Sequence, residues 1–428
     1  MSGARKRRLS LQAVVDGGLC SGCGVCAYLQ SQAIEMVDVL GHGRRPRARD
    51  PESRTLPDGD GAIACPGSGL SCSPPGRDED VITDLWAGWG RVAALWEGHA
   101  ADPEIRFAGS SGGVATALGW YAMDACGYEG VLHVGAKSDA PHLNETAVSR
   151  SRADLLKRTG SRYAPASPCD GLMEIERGAG PFLFIAKPCD VAAAMNAREL
   201  RPDLDRNLAM TVAFFCAGTP STAGTLDLLK RMGVPSPDRL RSLRYRGNGW
   251  PGLATANFVG ESGQETSAQL TYEESWGGVL TKHVQWRCRL CADHTGEFAD
   301  ISVGDPWYRE MTPGEPGSSL IIGRTERGRR FIESAIAAGY LLARPVDPSI
   351  LPRSQPNLLR ARGAVWGRTV ALKAIGAHGP RYEGMNLFRF WWQELPLREK
   401  VVSLVGTARR CISRGFHPWF PLGKAPDQ

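Results

Sequence analysis

Cys20, Cys23 and Cys26 are, by type and spacing, the residues of this 428-residue chain best suited to chemistry. A C-x2-C-x2-C run aims three thiolates into one concave loop. Gly22 and Gly24 let the backbone wrap tightly and turn N–H groups toward sulfur, as a 4Fe-4S cube requires. A fourth thiolate is needed. A bacterial ferredoxin-type run would place it at position 30, which is Gln30 followed by Ser31. The next cysteine, Cys65, precedes Pro66 and Gly67 and is the expected fourth ligand, with Cys72 as the fallback. The competing occupant is zinc in a knuckle, although zinc more often takes two separated CxxC pairs than a triple run.

A second group is more dispersed. Cys288 and Cys291 form a CxxC, while Cys189 and Cys216 each stand where an apolar run ends, in GPFLFIAKPCD (180–190) and LAMTVAFFCAG (208–218). Strand ends on the carboxyl edge of a parallel sheet lie side by side and are the usual ligand site, so these thiols can meet the CxxC in a second four-thiolate site. Lone cysteines are also common as small buried hydrophobes, and a lone CxxC also serves as a zinc site or dithiol switch. Cys126, Cys169 and Cys411 read as packing residues.

GSSGG (109–113) ahead of an amphipathic stretch suits a phosphate, because glycines allow close approach and a helix N-terminus offers free N–H groups. It departs from both G-x-G-x-x-G and the Walker pattern, so a plain capped loop is the bland alternative. Lys187, at a strand end, is a weak catalytic candidate whose ammonium could favour a developing negative charge, or a solvated loop lysine. Arg244 and Arg246 would share a strand face and hold a phosphate or carboxylate, or pair with Glu273 and Glu274. Asp305 before Pro306 reads as a turn anchor. No His assembles with a Ser or Cys into a nucleophile.

These residues need elements to position them. The stretch 44–61 reads as loop. From about residue 86, apolar strands alternate with helical stretches: VAALWEG, then a helix carrying Val114, Leu118, Tyr121 and Ala125 with Ser110 or Ser111 as N-cap, then GYEGVLHVGAK, a βαβ-like opening. Helices are expected near 190–200 and 222–233, and an irregular β texture at 240–305. The fold class is α/β, of mixed α+β character. Twelve cysteines are too few for a disulfide scaffold and too many to be idle in a reducing cell. A net charge of +6 is too weak and scattered to point to nucleic acid. The basic start at Lys6 and Arg7 lacks an apolar h-region and no run is long enough to span a bilayer, so a cytoplasmic location is expected.

The ordered set Cys20-x2-Cys23-Gly-x-Cys26, Cys65-Pro-Gly, Gly109-Ser-Ser-Gly-Gly113, Gly160-Ser-Arg-Tyr163, Lys187-Pro-Cys-Asp190, Phe215-Cys-Ala-Gly-Thr-Pro220, Arg244-Tyr-Arg-Gly-x-Gly-Trp-Pro-Gly252, Cys288-x2-Cys291 and Ala299-Asp-Ile-Ser-Val-Gly-Asp-Pro-Trp307 resembles the coenzyme F420 hydrogenase/dehydrogenase beta-subunit family. That family also contains 7-hydroxymethyl chlorophyll a reductase. The resemblance covers roughly residues 17–345. It implies an iron–sulfur flavoprotein with two 4Fe-4S clusters, the second on Cys189, Cys216, Cys288 and Cys291. It also implies FAD near Ser110, Ser111, Gly112, Gly113, Thr116, Ser161, Tyr163 and Lys187. The domains expected are a small ferredoxin-like iron–sulfur segment (1–85), a flavin-binding α/β domain with the second cluster site (86–345) and a C-terminal extension (346–428).

The expected activity is electron transfer between a ferredoxin or other carrier protein and an organic two-electron substrate such as coenzyme F420. The alternatives are a non-autonomous beta subunit of a larger hydrogenase or dehydrogenase, and a zinc-stabilised binding module. On the subunit reading, the aromatic run Phe388–Trp392 and the amphipathic residues 397–410 would form a docking arm or membrane-surface helix, unless they pack on the chain's own core.

Overall fold

The computed structural model describes residues 8–417 apart from 75, 77–79, 311 and 313; the basic start at Lys6 and Arg7 lies outside the described residues. In chain order the strands are β1 (Ile34–Val39), β2 (Gly43–Ala48), β3 (Gly69–Ser71), β4 (Ala94–Ala100), β5 (Gly130–Ala136), β6 (Asn144–Ser149), β7 (Phe182–Ala186), β8 (Leu208–Phe214), β9 (Leu240–Arg244), β10 (Ala254–Val259), β11 (Glu265–Leu270), β12 (Ile301–Gly304), β13 (Ser319–Gly323), β14 (Leu341–Pro345) and β15 (Arg381–Glu383). Eight of them form one mixed sheet in the order β14-β4-β13-β12-β8-β7-β5-β6. Four adjacent strands, β12, β8, β7 and β5, run parallel. The chain is thus mixed α/β around a large mixed sheet.

The apolar runs behave as fully covered strands. All five residues of β7 are buried, as expected of a parallel strand with structure on both faces. One face packs on helices Val114–Asp124 and Glu326–Ala337 through Leu118, Tyr121, Leu183, Val212, Ile301 and Phe331. The other packs on helix Pro188–Arg198 and, through Val25, Tyr28 and Leu29, on the N-terminal segment. Helices Pro188–Arg198 and Thr222–Arg231 follow β7 and β8 where the sequence predicts them. The β texture after 240 resolves into a separate antiparallel sheet, β11-β10-β9, packed on Thr222–Arg231 through Leu228, Leu243 and Phe258.

Several sequence expectations are corrected. The stretch 44–61 is not all loop: residues 43–48 pair antiparallel with β1, and Gly59–Ala64 is helical. Pro46 is tolerated because a two-strand ladder has a free edge, and Arg47 bonds Glu35 directly across from it at 2.6 Å. The opening is not βαβ. β4 pairs antiparallel with β13 and β14, and four strands separate it from β5. Helix Val114–Asp124 accounts for this, since it touches β4 and β14 as well as β5 and β7 and so carries the chain diagonally across the sheet. Neither Ser110 nor Ser111 caps that helix. Gly113 is the N-cap, at φ 71°, because a left-handed residue is needed there and a side chain would meet the Ile105 carbonyl. Ala125, counted in the apolar stripe, is an exposed C-cap.

Two segments far apart in sequence meet. β3 pairs in parallel with β15, and helix Pro356–Ala374 packs on Leu387–Glu394 and Leu397–Ser413. Arg362, on the first of these, forms a fully buried ion pair with Glu297 and bonds the Met385 carbonyl at 3.0 Å. Among the described residues no helix is long and apolar enough to cross a membrane.

His133 on β5 tests the burial of the sheet. Its Nε2 lies 2.7 Å from Ser149 Oγ on the neighbouring strand. Burial, with the Arg158 guanidinium adding to it, pushes the imidazole down to about 4. The unfolded chain therefore takes up this proton first. Stability should be full above about pH 6.5 and fall by about 3 kcal/mol as pH drops toward 4. Urea unfolding across that window checks this, and His133→Gln should flatten the slope.

Candidate functional site

The carboxyl ends of the central strands gather the candidate residues. Cys189 follows β7 in the first turn of helix Pro188–Arg198, and Cys216 follows β8 two residues on. The CxxC arrives on the short helix Trp286–Arg289. Thr219 donates its N–H to Cys288 Sγ at 3.3 Å; the Cys216 N–H donates to the His294 carbonyl at 2.8 Å, and the His294 Nδ1 lies 3.0 Å from the Cys216 carbonyl. Burial pushes the thiols of Cys216 and Cys291 up to about 12, with Cys288 adding to both. Cys189 is raised by burial first, then by Asp190, and it feels Cys216 and Cys291. The four thiols of the second set thus lie within electrostatic reach of one another.

The first set is deeper. Cys20, Cys23, Cys26 and Cys65 are all buried, the last as the C-cap of helix Gly59–Ala64. Gly22, at φ 75°, donates its N–H to Cys20 Sγ at 3.4 Å. Burial, then Cys20, Cys23 and Cys65, raises the Cys26 thiol well above its ordinary value. Burial, then Cys23 and Cys20, pushes Cys65 up to about 12. Cys72, the fallback, is elsewhere: its neighbours are Glu297 and Asp293. Cys169 is more than a packing residue. Its N–H bonds the Cys23 carbonyl at 2.9 Å and its thiol the Asp190 carbonyl at 3.3 Å, and its closeness holds the Cys23 thiol below its ordinary value despite burial.

Among the described residues, no three His, Cys, Asp or Glu side chains stand close enough to hold a single metal ion. The thiols of each set lie within electrostatic reach of one another, and four thiols are the donor type that a 4Fe-4S cube takes.

One residue the sequence reading missed joins the two sets. Arg287 is 3 % exposed. It donates to the Pro66 carbonyl, beside Cys65, at 2.9 Å and to the Leu290 carbonyl, beside Cys291, at 3.2 Å. Tyr382 of β15 steadies it at 2.7 Å, and its Nε has no partner. Its charge acts on Cys20 and Cys65 as well as on Cys291. The one sequence signal was a cation directly before Cys288.

A cavity of about 300 Å³ opens beside the second set and includes Cys216 and Lys187 in its wall. Ser110, Ser111, Gly113, Thr116, Ser161 and Tyr163 line it. Gly112 does not: it faces Ser318 and Gly317, and its carbonyl accepts from the Ala100 N–H at 2.8 Å. Ser110 Oγ accepts the Ser161 N–H at 2.8 Å, while the Ser111 hydroxyl is spent on the Ser318 carbonyl. Lys187 is not a solvated loop lysine. It pairs with fully buried Asp190 at 2.6 Å, and that carboxylate, with Cys189 and Cys216, outweighs burial and raises the ammonium's pKa.

Arg246 pairs with Asp305 at 2.8 Å, not with Glu273 or Glu274. Asp305, more than a turn anchor, also accepts from Trp250 Nε1 at 2.7 Å. Arg246 in turn bonds the Ser110 carbonyl at 2.8 Å and so ties the glycine-rich turn to the second sheet. Arg244 bonds the Ala108 carbonyl at 2.9 Å. Aromatic planes unmarked in the sequence reading complete the wall: Trp276 lies 4.7 Å from Tyr163, and Tyr272 stacks on Trp307 at 5.8 Å. A concave site with apolar rings and few convergent polar groups suits a planar heterocycle with a phosphate tail.

Two family models match the chain, both described as coenzyme F420 hydrogenase/dehydrogenase, beta subunit. The N-terminal one matches residues 95–174 and the C-terminal one matches 181–349. Together they cover more than half of the chain. The chain belongs to the coenzyme F420 hydrogenase/dehydrogenase beta-subunit family. Within it, the coenzyme F420 hydrogenase subunit beta of Methanosarcina barkeri is 24 % identical over 265 residues, covering 60 % of this chain and 84 % of that relative. The F420-dependent formate dehydrogenase 1 subunit beta of Methanococcus maripaludis is 25 % identical, covering 58 % and 61 %. The coenzyme F420-dependent sulfite reductase of Methanocaldococcus jannaschii is 23 % identical, covering 75 % and 46 %. A chain of the F420-reducing NiFe hydrogenase complex from Methanosarcina barkeri shares the fold, with a TM-score of 0.51 at 22 % identity over 66 % of this chain and 94 % of that one. The family models include the second thiol set and begin after the first.

Asp305→Ala would strand Arg246 as an unpaired buried cation, at an expected cost of about 3 kcal/mol. Denaturant unfolding measures it, and the Arg246→Met/Asp305→Ala pair should cost less than the sum of the single changes.

Proposed function

We propose that the chain is an iron–sulfur flavoprotein that passes electrons between a one-electron carrier protein and an organic two-electron substrate. The observation that carries this is the succession of contacts from the first thiol set through Arg287 to the second, with Cys216 and Lys187 in the cavity wall. On this reading Cys20, Cys23, Cys26 and Cys65 hold one 4Fe-4S cluster in a ferredoxin-like segment. Cys189, Cys216, Cys288 and Cys291 hold a second, and FAD lies in the cavity. Residues 1–85, 86–345 and 346–428 are then the cluster segment, flavin domain and extension. Iron–sulfur cubes exchange single electrons and a flavin exchanges two, so a chain holding both joins the two kinds of carrier.

The protein's own residues supply the rest. Burial of Cys20, Cys23, Cys26 and Cys65 keeps water from the first set, and N–H donors at Gly22 and Thr219 offset negative charge on sulfur. Arg287 adds a full cation between the sets. Lys187, held in place by Asp190, presents a fixed positive charge at the cavity, where it favours negative charge developing on a bound ring. Tyr163, Trp276 and Tyr272 give the cavity wall apolar ring faces for a bound ring to lie against. Coenzyme F420 is the proposed substrate because relatives carry that name. These relatives are also named as subunits, which favours a second form of the reading, in which the chain works as the electron-transfer subunit of a larger assembly. A cytoplasmic setting, where thiols stay reduced, suits both.

Anaerobic purification with iron, acid-labile sulfide and flavin counted per chain tests the proposal. About eight irons and one FAD are expected from two cubes and one flavin site; zinc without flavin would overturn it. Cys65→Ser should remove about four irons, the content of one cube, whereas Cys72→Ser should remove none. Arg287→Gln should shift the cluster potentials negative by on the order of 60 mV, equivalent to about 1.4 kcal/mol for one electron, in a redox titration followed by electron paramagnetic resonance.

A further inference from the structure

The C-terminal helix Leu397–Ser413 has its faces reversed. Toward the protein it buries Ser403, Thr407 and Cys411. Toward solvent it turns Leu397 (78 % exposed), Val401 (50 %), Val405 (66 %) and Ile412 (42 %), which recur at helical spacing and so make one stripe. An ordinary surface helix does the opposite. Nor can this one simply roll over. A side chain at Gly367 would collide with Ser403 Oγ, and Trp391 Nε1 donates to that same hydroxyl at 3.0 Å, so close packing locks the orientation. The preceding helix exposes two more apolar side chains, Phe388 and Trp392, four residues apart and 52 % and 63 % exposed.

The border of the patch is basic. Arg398 and Arg409 are exposed along one side of the stripe and Arg389 stands beside Phe388. Lys400 lies 4.8 Å from the Trp392 ring and bonds its carbonyl at 2.8 Å. Of the two acidic residues on these helices, Glu399 is held by Arg360, which leaves Glu394. Aliphatic and aromatic side chains framed by Arg and Lys match the apolar boundary and negative headgroups of a lipid leaflet. The patch also lies beyond residue 349, where the family models end, so it belongs to a part of the chain that those models do not cover.

We propose that this face docks the protein on an anionic membrane surface, with both helices lying in the interface and none crossing. The proposal stands apart from what the thiols hold. The test sediments the full chain with vesicles of phosphatidylcholine alone, or with about a third phosphatidylglycerol. Pelleting with the anionic vesicles only, weakened by salt, is expected. Val401→Asp/Val405→Asp should weaken binding about tenfold or more, and Arg398→Glu/Arg409→Glu should abolish the preference for anionic lipid. All four positions are exposed, so both double variants should keep the parent melting temperature, which separates lost docking from lost folding. A chain that stays in the supernatant with both vesicles would overturn the proposal. So would a concentration-dependent dimer in light scattering that the valine variant breaks, since the face would then belong to a second copy.

Discussion

A guanidinium held in the dark between two groups of sulfur is the constraint on which the rest of the site depends. Arg287 is held by two carbonyls and a phenol rather than by a carboxylate, with the thiols within electrostatic reach. Burying a cation this way is costly unless anionic charge nearby compensates it. Thiolates on both sides would do so. Conversely, thiols pushed up by burial would stay protonated without cations close by. Each half of the arrangement makes sense only in the presence of the other.

The sheet explains how residues so far apart in sequence reach this place. Parallel β7 and β8 end side by side, which delivers Cys189 and Cys216 together with Lys187. The chain then leaves the sheet to build β9–β11 before returning at β12, and that excursion supplies Arg246, Tyr272, Trp276 and the CxxC. Asp300 closes the loop on return by accepting from Thr211 at 3.0 Å and pairing with Arg327 at 2.8 Å, so the start of β12 is pinned to β8.

What the sequence made legible was whatever depends on local spacing. The triple cysteine run and the apolar strands ending at Cys189 and Cys216 are short-range signals, and the structure gathers these thiols as two groups. Long-range pairing was not legible. Nothing local distinguishes a β4 that neighbours β5 from one with four strands between, and the apolar pattern of VAALWEG suits either. The turn at 109–113 misled because serine is a good cap, whereas the Ile105 carbonyl leaves room only for glycine at the position that matters. Arg246 with Asp305 and Arg287 with Pro66 are contacts across 59 and 221 residues, beyond the reach of any window.

The pairing of β3 with β15 has a consequence for how the protein is made. Residues 69–71, just after Cys65, acquire their neighbour strand only when residues 381–383 have emerged from the ribosome, and Tyr382 is the residue that steadies Arg287. The pocket of Cys20, Cys26 and Cys65 is therefore translated long before Leu372 and Cys411, which pack against it. Between the two events it is synthesised yet still open, and the later segment closes it.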